Sequence, residues 1–231
     1  VGADLATRAS HPGWIVRQLR RALRAEGREE QIEDLLDAHN TPAPLTLAVR
    51  PGLADRDAVA AETGGTPPAL SPYGVVLPGG DPSGIGAVKD GTAGVQDEGS
   101  QLAAAALAAA RDVVVGERWL DVCAGPGGKT ALLGALAAQG GATVVATELH
   151  PHRAELVRDN VRALPEGTVS VHATDALHWR GTYDRILLDA PCTELGALRR
   201  RPESRWRRSP GDLADLTRLQ RDPLSHAASE L

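Results

Sequence analysis

The chain has 231 residues, 42% hydrophobic and 24% charged, which is enough apolar material for a large buried core. Its formal net charge is −5, so any nucleic-acid binding has to come from a local basic patch rather than from overall basicity. No apolar run reaches membrane-spanning length and no signal-peptide pattern opens the chain. Two cysteines, Cys123 and Cys192, are too few for a disulfide framework or a four-thiolate zinc site. The expectation is a cytoplasmic, reducing location, a monomer, and no metal or membrane contact. Methionine and phenylalanine are both absent, and the missing initiator methionine leads us to expect a piece of a longer chain.

From the front, Ile15, Val16, Leu19 and Leu23 recur at helical spacing over residues 12 to 25, with Arg17, Arg20, Arg21, Arg24 and Arg28 forming a basic remainder. On charge pattern alone this is a solvated helix face. Ile32, Leu35 and Leu36 predict a second helix ending near Asn40, before Pro42 and Pro44. "LTLAVR" (45 to 50) alternates like a strand. Residues 51 to 92 are dense in Gly, Pro, Asp and Thr, with short apolar runs such as "YGVVL" between turn signals. Residues 1–92 are therefore expected to form a small α+β module.

The texture changes near residue 93, and 93–231 reads as a second domain. "QDEGSQLAAAALAAARDVV" is an alanine-rich helix with an acidic start. Strand and helix signals then alternate. "RWLDVC" is a strand, followed by a glycine turn and a helix through Leu132, Leu133 and Leu136 that stops at Gly140-Gly141. "ATVVATEL" is a strand, and its following helix starts at Pro151 and aligns Ala154, Val157, Val161 and Leu164. "TVSVHATD" and "DRILLDAP" are two more strands. The alternation predicts an α/β fold with a Rossmann-like, doubly wound parallel sheet, incomplete at its C-terminal end. Beyond it, Ser209-Pro210 and Asp212 start a helix carrying Leu213, Leu216 and Leu219, which Pro223 is expected to interrupt.

The glycine turn reads "DVCAGPGGKT" (121 to 130). A Walker A loop would need glycine at Cys123, and the dinucleotide fingerprint would need glycine at Thr130, so both phosphate readings fail by one residue. A ligand lying on the turn, with Glu148 at the next strand end to accept ribose hydroxyls and Asp175 at the third to meet adenine, describes S-adenosylmethionine without a phosphate loop. Singly, such strand-end acids often only cap helices.

"LLDAPC" ends the fourth strand with Asp189, Pro191 and Cys192. In a doubly wound sheet the first and fourth strands are neighbours at the switch point where ligands bind. Carbon 5 of a pyrimidine becomes nucleophilic only after a thiolate adds at carbon 6, and a carboxylate can hold the ring's nitrogen edge. A cysteine and an aspartate so placed fit that chemistry, although a cysteine can equally be a small buried hydrophobe. Next, six of the ten residues from Arg199 to Arg208 are arginine, with Trp206 among them. Arg199, Arg200, Arg201, Arg205, Arg207 and Arg208 suit phosphates and Trp206 suits stacking on a base, against the alternative of a solvated charge run.

Taken together, "QDEGSQLAA", "DVCAGPGGKT", "LLDAPCTELGALRRRPESRWRRSP" and "LTRLQRD" resemble the successive motifs of the Sun/Fmu (RsmB) RNA cytosine-C5 methyltransferases. The resemblance runs continuously from about residue 93 to 222. It continues more loosely into "SHPGWIVRQL" and "NTPAPLTLAVR". It implies S-adenosylmethionine as methyl donor and 16S ribosomal RNA as substrate. By the resemblance, Cys123, Ala124, Gly125, Pro126, Gly127, Gly128 and Lys129 line the methionine end, Glu148 the ribose and Asp175 the adenine. Asp189 lies between cofactor and cytosine.

Three departures stand out. Thr193 and Glu194 follow Pro191-Cys192 where that family has a small residue and glycine, and Gly125 stands where alanine is usual. Third, the covalent nucleophile of those enzymes is a cysteine in a later Thr-Cys-Ser motif, with the cysteine matching Cys192 assisting product release; this sequence contains no such motif, nor the family's NusB-like helical domain. A non-catalytic RNA-binding module that keeps the cofactor fold, or a Rossmann methyltransferase for another base, are the alternatives. In a further variant Cys192 is itself the nucleophile.

Overall fold

The computed structural model describes residues 4–229. Among them, one compact unit takes the chain up to Ala43 together with Pro191–Gln220; a second takes Pro44–Ala190 and the stretch from Arg221.

The first unit opens with helices α1 (Leu5–Arg8), α2 (Gly13–Ala25) and α3 (Ile32–Asn40). Asp4 caps α1 by accepting from the Thr7 N–H at 2.9 Å. Val16 and Leu23 from α2 pack with Ile32 and Leu36 from α3, which is the apolar stripe that the spacing predicts.

In the second unit, strand β1 (Thr46–Val49), helix α4 (Arg56–Thr63), β2 (Gly74–Val76), helix α5 (Gly86–Lys89) and β3 (Ala93–Val95) form a small module. Its strands make an antiparallel sheet in the order β2-β1-β3. The turn-rich stretch is better defined than its composition suggests. Asp55 caps α4 through the Ala58 N–H at 2.7 Å, and Gly64, at φ +64°, ends it in the left-handed conformation. Strand β3 gave no sequence signal: it is three residues long, contains a glycine, and exists because β1 offers an edge to pair with.

Helix α6 (Glu98–Ala109) follows, then elements that alternate as far as β6: β4 (Arg118–Val122), α7 (Gly128–Gly140), β5 (Thr143–Glu148), α8 (Pro151–Val161) and β6 (Val169–Ala173). Strand β7 (Arg185–Leu188) then follows without an intervening helix. All four strands are parallel, in the order β6-β5-β4-β7. The chain thus winds outward from β4 to β6 and then crosses back to the other side of β4, so β4 and β7 flank the switch point. Alternation along β4 splits the core in two. Trp119 joins Leu132, Leu133 and Val144 on one face, while Leu120 and Val122 join Val145 and Tyr183 on the other. Beneath Trp119 lies a buried ion pair: Arg185 Nε donates to Glu117 Oε2 at 2.9 Å, and the Trp119 indole N–H donates to the same oxygen at 2.7 Å. Burial opposes the Glu117 charge, but these hydrogen bonds hold its carboxyl down at about 2.

The last elements are α9 (Ser204–Arg207) and α10 (Pro210–Ser229). Pro223 does not interrupt the last helix, contrary to the sequence-based expectation. Its ring is buried and lines one small cavity with His226, Ala227, Leu120, Val122, Ala176 and Trp179, so apolar contact offsets the lost backbone hydrogen bond.

Candidate functional site

The predicted cofactor residues converge on the C-terminal edge of the parallel sheet. The turn after β4 carries Cys123 at φ +64° and Gly127 at φ +110°, and delivers the chain into the N-terminus of α7. A side chain at Gly127 would have no room, since a Cβ there would lie 2.8 Å from the Val157 Cα. The turn therefore rests directly on α8.

Glu148 is the final residue of β5 and is buried. Its Oε2 accepts from the Gly125 N–H at 3.0 Å and its Oε1 from the His150 N–H at 3.0 Å. Arg153, in the first turn of α8, donates to the Gly125 carbonyl and stands 3.7 Å from Glu148 Oε2. Asp175 sits two residues beyond β6, half-buried, and accepts from the Leu177 N–H at 2.9 Å. Asp189 directly follows β7 and accepts from Lys129 Nζ at 2.7 Å, while Ser100 Oγ lies 3.2 Å from the same nitrogen. That ion pair spans the switch point between β4 and β7.

Two residues beneath the turn were not anticipated. Asp121 sits fully buried in β4 and accepts from the Thr130 hydroxyl at 2.6 Å, tying the strand to the first turn of α7. Burial pushes its carboxyl up to about 7, against the lowering effect of Thr130 and Lys129. The signal was one acid between the apolar Trp119, Leu120 and Val122 of "RWLDVC". Arg153 was hidden because a lone arginine in a helix's first turn carries no pattern.

The two cysteines differ sharply. Burial, then the charges of Glu148, Asp121 and Asp189, push the Cys123 thiol up to about 11, which removes it as a thiolate at neutral pH. Cys192 is exposed, and its Sγ accepts from the Glu194 N–H at 3.3 Å.

Cys192 and the arginine segment belong to the first compact unit, whereas the cofactor residues belong to the second. Within the segment the predicted RNA residues separate. Arg205 is buried, and its guanidinium donates to Ser10 O at 3.0 Å and Asn40 Oδ1 at 2.8 Å, so it is a structural strut rather than a surface contact. Arg199 donates to Thr41 O at 3.0 Å, yet stays exposed. Arg201 and Arg208 face Glu194, at 2.9 and 3.7 Å. Glu194, which looked like a bulky anion beside the site, turns its carboxylate onto these two arginines and the Ser204 hydroxyl. Trp206 and Arg207 are exposed, and so is Arg200.

A glycine turn after the first strand of a parallel sheet, acids at the ends of the other three strands, and a lysine bridging the switch point define a Rossmann-like methyltransferase. Known proteins agree. The profile of the 16S rRNA methyltransferase RsmB/F family matches residues 108–231, and the chain belongs to that family. The ribosomal RNA small subunit methyltransferase B of Vibrio cholerae is 36% identical over 230 residues, covering 95% of this chain and 50% of the relative. A Mycobacterium tuberculosis protein, Rv1407, provisionally named a methyltransferase, is 49% identical over 220 residues, covering 94% of this chain and 47% of its own length. The chain thus spans about half the length of these relatives. Among solved structures, PH0851 superposes with TM-score 0.87 at 25% identity over 98% of this chain and 52% of its own. NSun6 of Pyrococcus horikoshii superposes with TM-score 0.76 at 16% identity over 92% of this chain and 79% of its own, a likeness of fold.

The family's methyl donor is S-adenosylmethionine. The residues fit that group: the acids Glu148, Asp175 and Asp189 outnumber the cations Lys129 and Arg153, and Lys129 is already paired with Asp189. Such a set repels a pyrophosphate and favours a cationic sulfonium with ribose hydroxyls. Among the described residues no group of acids, histidines and cysteines could hold a metal ion, and no helix is long and apolar enough to cross a membrane.

Proposed function

We propose that this chain is the methyl-donor-binding part of an enzyme that methylates carbon 5 of a cytosine in ribosomal RNA, with 16S RNA as the substrate. The observation that carries the reading is the Lys129–Asp189 contact across the switch point, at 2.7 Å, in a chain of the RsmB/F family. Residues 123–129 would take the methionine end of S-adenosylmethionine, Glu148 the ribose and Asp175 the adenine. When bound, S-adenosylmethionine supplies an electrophilic methyl group.

Lys129 fixes the Asp189 carboxylate, which is then available to the N3 edge of cytosine. A thiolate adding at carbon 6 would push electrons toward carbon 5 as N3 takes up a proton held by Asp189. Carbon 5 would then take the methyl group as its bond to the donor's sulfur breaks, leaving the donor as its neutral thioether. A base would next take the carbon-5 proton, the carbon 6–sulfur bond would break to release the thiolate, and N3 would give its proton back. By the family resemblance that thiolate comes from a Thr-Cys-Ser cysteine, which is not among these residues, and Cys192 assists release. Trp206 and the exposed arginines would hold RNA.

Calorimetric titration with S-adenosylmethionine, followed by RNA binding at several salt concentrations, tests this reading. Saturable binding of both ligands is expected. Cofactor binding without RNA binding would point to another substrate for the same fold, and RNA binding without cofactor binding to a non-catalytic module.

A further inference from the structure

The turn that the proposed function assigns to the methyl donor is held from behind by a residue outside every motif. Asn160, half-buried near the end of α8, donates from Nδ2 to the Pro126 carbonyl at 2.9 Å and to the Leu156 carbonyl at 3.1 Å. Its Oδ1 accepts from Arg50 Nη2 at 3.4 Å. The orientation of the amide follows from its neighbours: a guanidinium can only donate, and Pro126 has no N–H and can only accept. Both N–H groups and one lone pair of the Asn160 amide are therefore engaged, and reversing the amide would break both long-range contacts.

Arg50 extends the connection. It immediately follows β1, is buried, and also donates to the Gly91 carbonyl ahead of β3. Its backbone N–H donates to Thr92 O at 2.9 Å. No carboxylate pairs with Arg50 among the described residues, so carbonyl oxygens hold this buried cation in place, and burial, then the charge of Arg162, bring its guanidinium down to about 10. A route thus runs from the three-stranded sheet through Arg50 and Asn160 to Pro126. The steric contact at the same spot is close, since a Cβ on Gly127 would fall 3.0 Å from the Asn160 Cβ.

We propose that Asn160 is a positioning residue for the methyl-donor turn, and that Arg50 couples that turn through it to the three-stranded sheet. The proposal rests on the assignment of the turn to S-adenosylmethionine only for its effect on affinity. Its mechanical part is independent of any ligand.

Two substitutions separate the halves of the relay. Asn160→Ala removes both contacts; Asn160→Asp keeps an acceptor for Arg50 and loses the donor to Pro126. Hydrogen exchange in the intact protein reads the turn directly, because the Gly127 N–H is bonded to Ala124 O at 2.8 Å. Both variants are expected to speed exchange at Gly127 about tenfold, the loss of roughly one hydrogen bond. Only Asn160→Ala is expected to speed exchange at Thr92, whose N–H is bonded to Ala87 O at 2.9 Å. Both should also weaken S-adenosylhomocysteine binding about tenfold, read by calorimetry. Unchanged exchange at Gly127 in both variants, or an equal rise at all protected amides through loss of global stability, would overturn the proposal. Absence of ligand binding by the unmodified protein would instead reject the cofactor assignment, while the exchange result still decides the role of Asn160.

Discussion

The carboxylate of Glu148 and the backbone N–H of Gly125 meet at 3.0 Å, joining the end of β5 to the glycine turn after β4. The same carboxylate accepts from the His150 N–H at 3.0 Å, so one buried side chain anchors two strand ends and leaves lone pairs for ribose hydroxyls. Glu148→Ala is expected to weaken S-adenosylmethionine binding by about ten- to hundredfold, and to lower stability by roughly 1–3 kcal/mol through two unsatisfied N–H groups. Calorimetry alongside thermal unfolding checks both; affinity unchanged in a folded variant would place the ribose elsewhere.

Asp121 makes stability depend on pH. Its folded-state value of about 7 stands above the ordinary 3.8, so the folded protein holds a proton that the unfolded chain releases. This contribution is fully present below about pH 4 and is lost as pH rises through 7, with a limiting slope of about 1.4 kcal/mol per pH unit. Asp121→Asn should flatten that loss across pH 4 to 7, measured by denaturant unfolding at a series of pH values. An identical pH profile in variant and parent would show that Asp121 does not titrate in this window.

The arginine segment should divide by burial. Arg205→Ala strips Ser10 O and Asn40 Oδ1 of their donor, and should destabilise the protein by roughly 1–3 kcal/mol. Trp206→Ala removes an exposed ring and should leave unfolding unchanged while weakening RNA binding by about 1–3 kcal/mol if it stacks on a base. Changing Arg199, Arg200 and Arg201 together should flatten the salt dependence of RNA binding. An unaltered salt slope would mark these three as a solvated face.

The exposed thiol of Cys192 and the half-buried Cys123 thiol, pushed up to about 11, restrict the candidates within this sequence to the former. If Cys192 assists release, Cys192→Ala in the intact enzyme should accumulate a covalent protein–RNA adduct, visible as a shifted band under denaturing conditions. Loss of every adduct in that variant would make Cys192 the attacking nucleophile itself.

Much of the candidate site's geometry was legible because strand ends leave strong marks. An apolar run closed by one acid gave Glu148 and Asp189, and glycines after a strand gave the turn. The sheet order that makes these ends neighbours follows from strand–helix alternation. What stayed hidden depends on partners far away in sequence. Arg205 resembles its five neighbouring arginines until Ser10 and Asn40 are seen to claim it, and Glu194 looks like a free anion until Arg201 and Arg208 turn toward it. Pro223 looks like a helix breaker until the apolar surface that buries it is known. Asn160 has no pattern at all; its meaning comes from Arg50, 110 positions earlier.

The most direct test is nucleoside mass spectrometry of 16S ribosomal RNA incubated with the intact protein and S-adenosylmethionine carrying a labelled methyl group. The account predicts label in 5-methylcytidine, lost when Asp189 is changed to alanine. Label in another nucleoside, or none despite measured binding of cofactor and RNA, would contradict it.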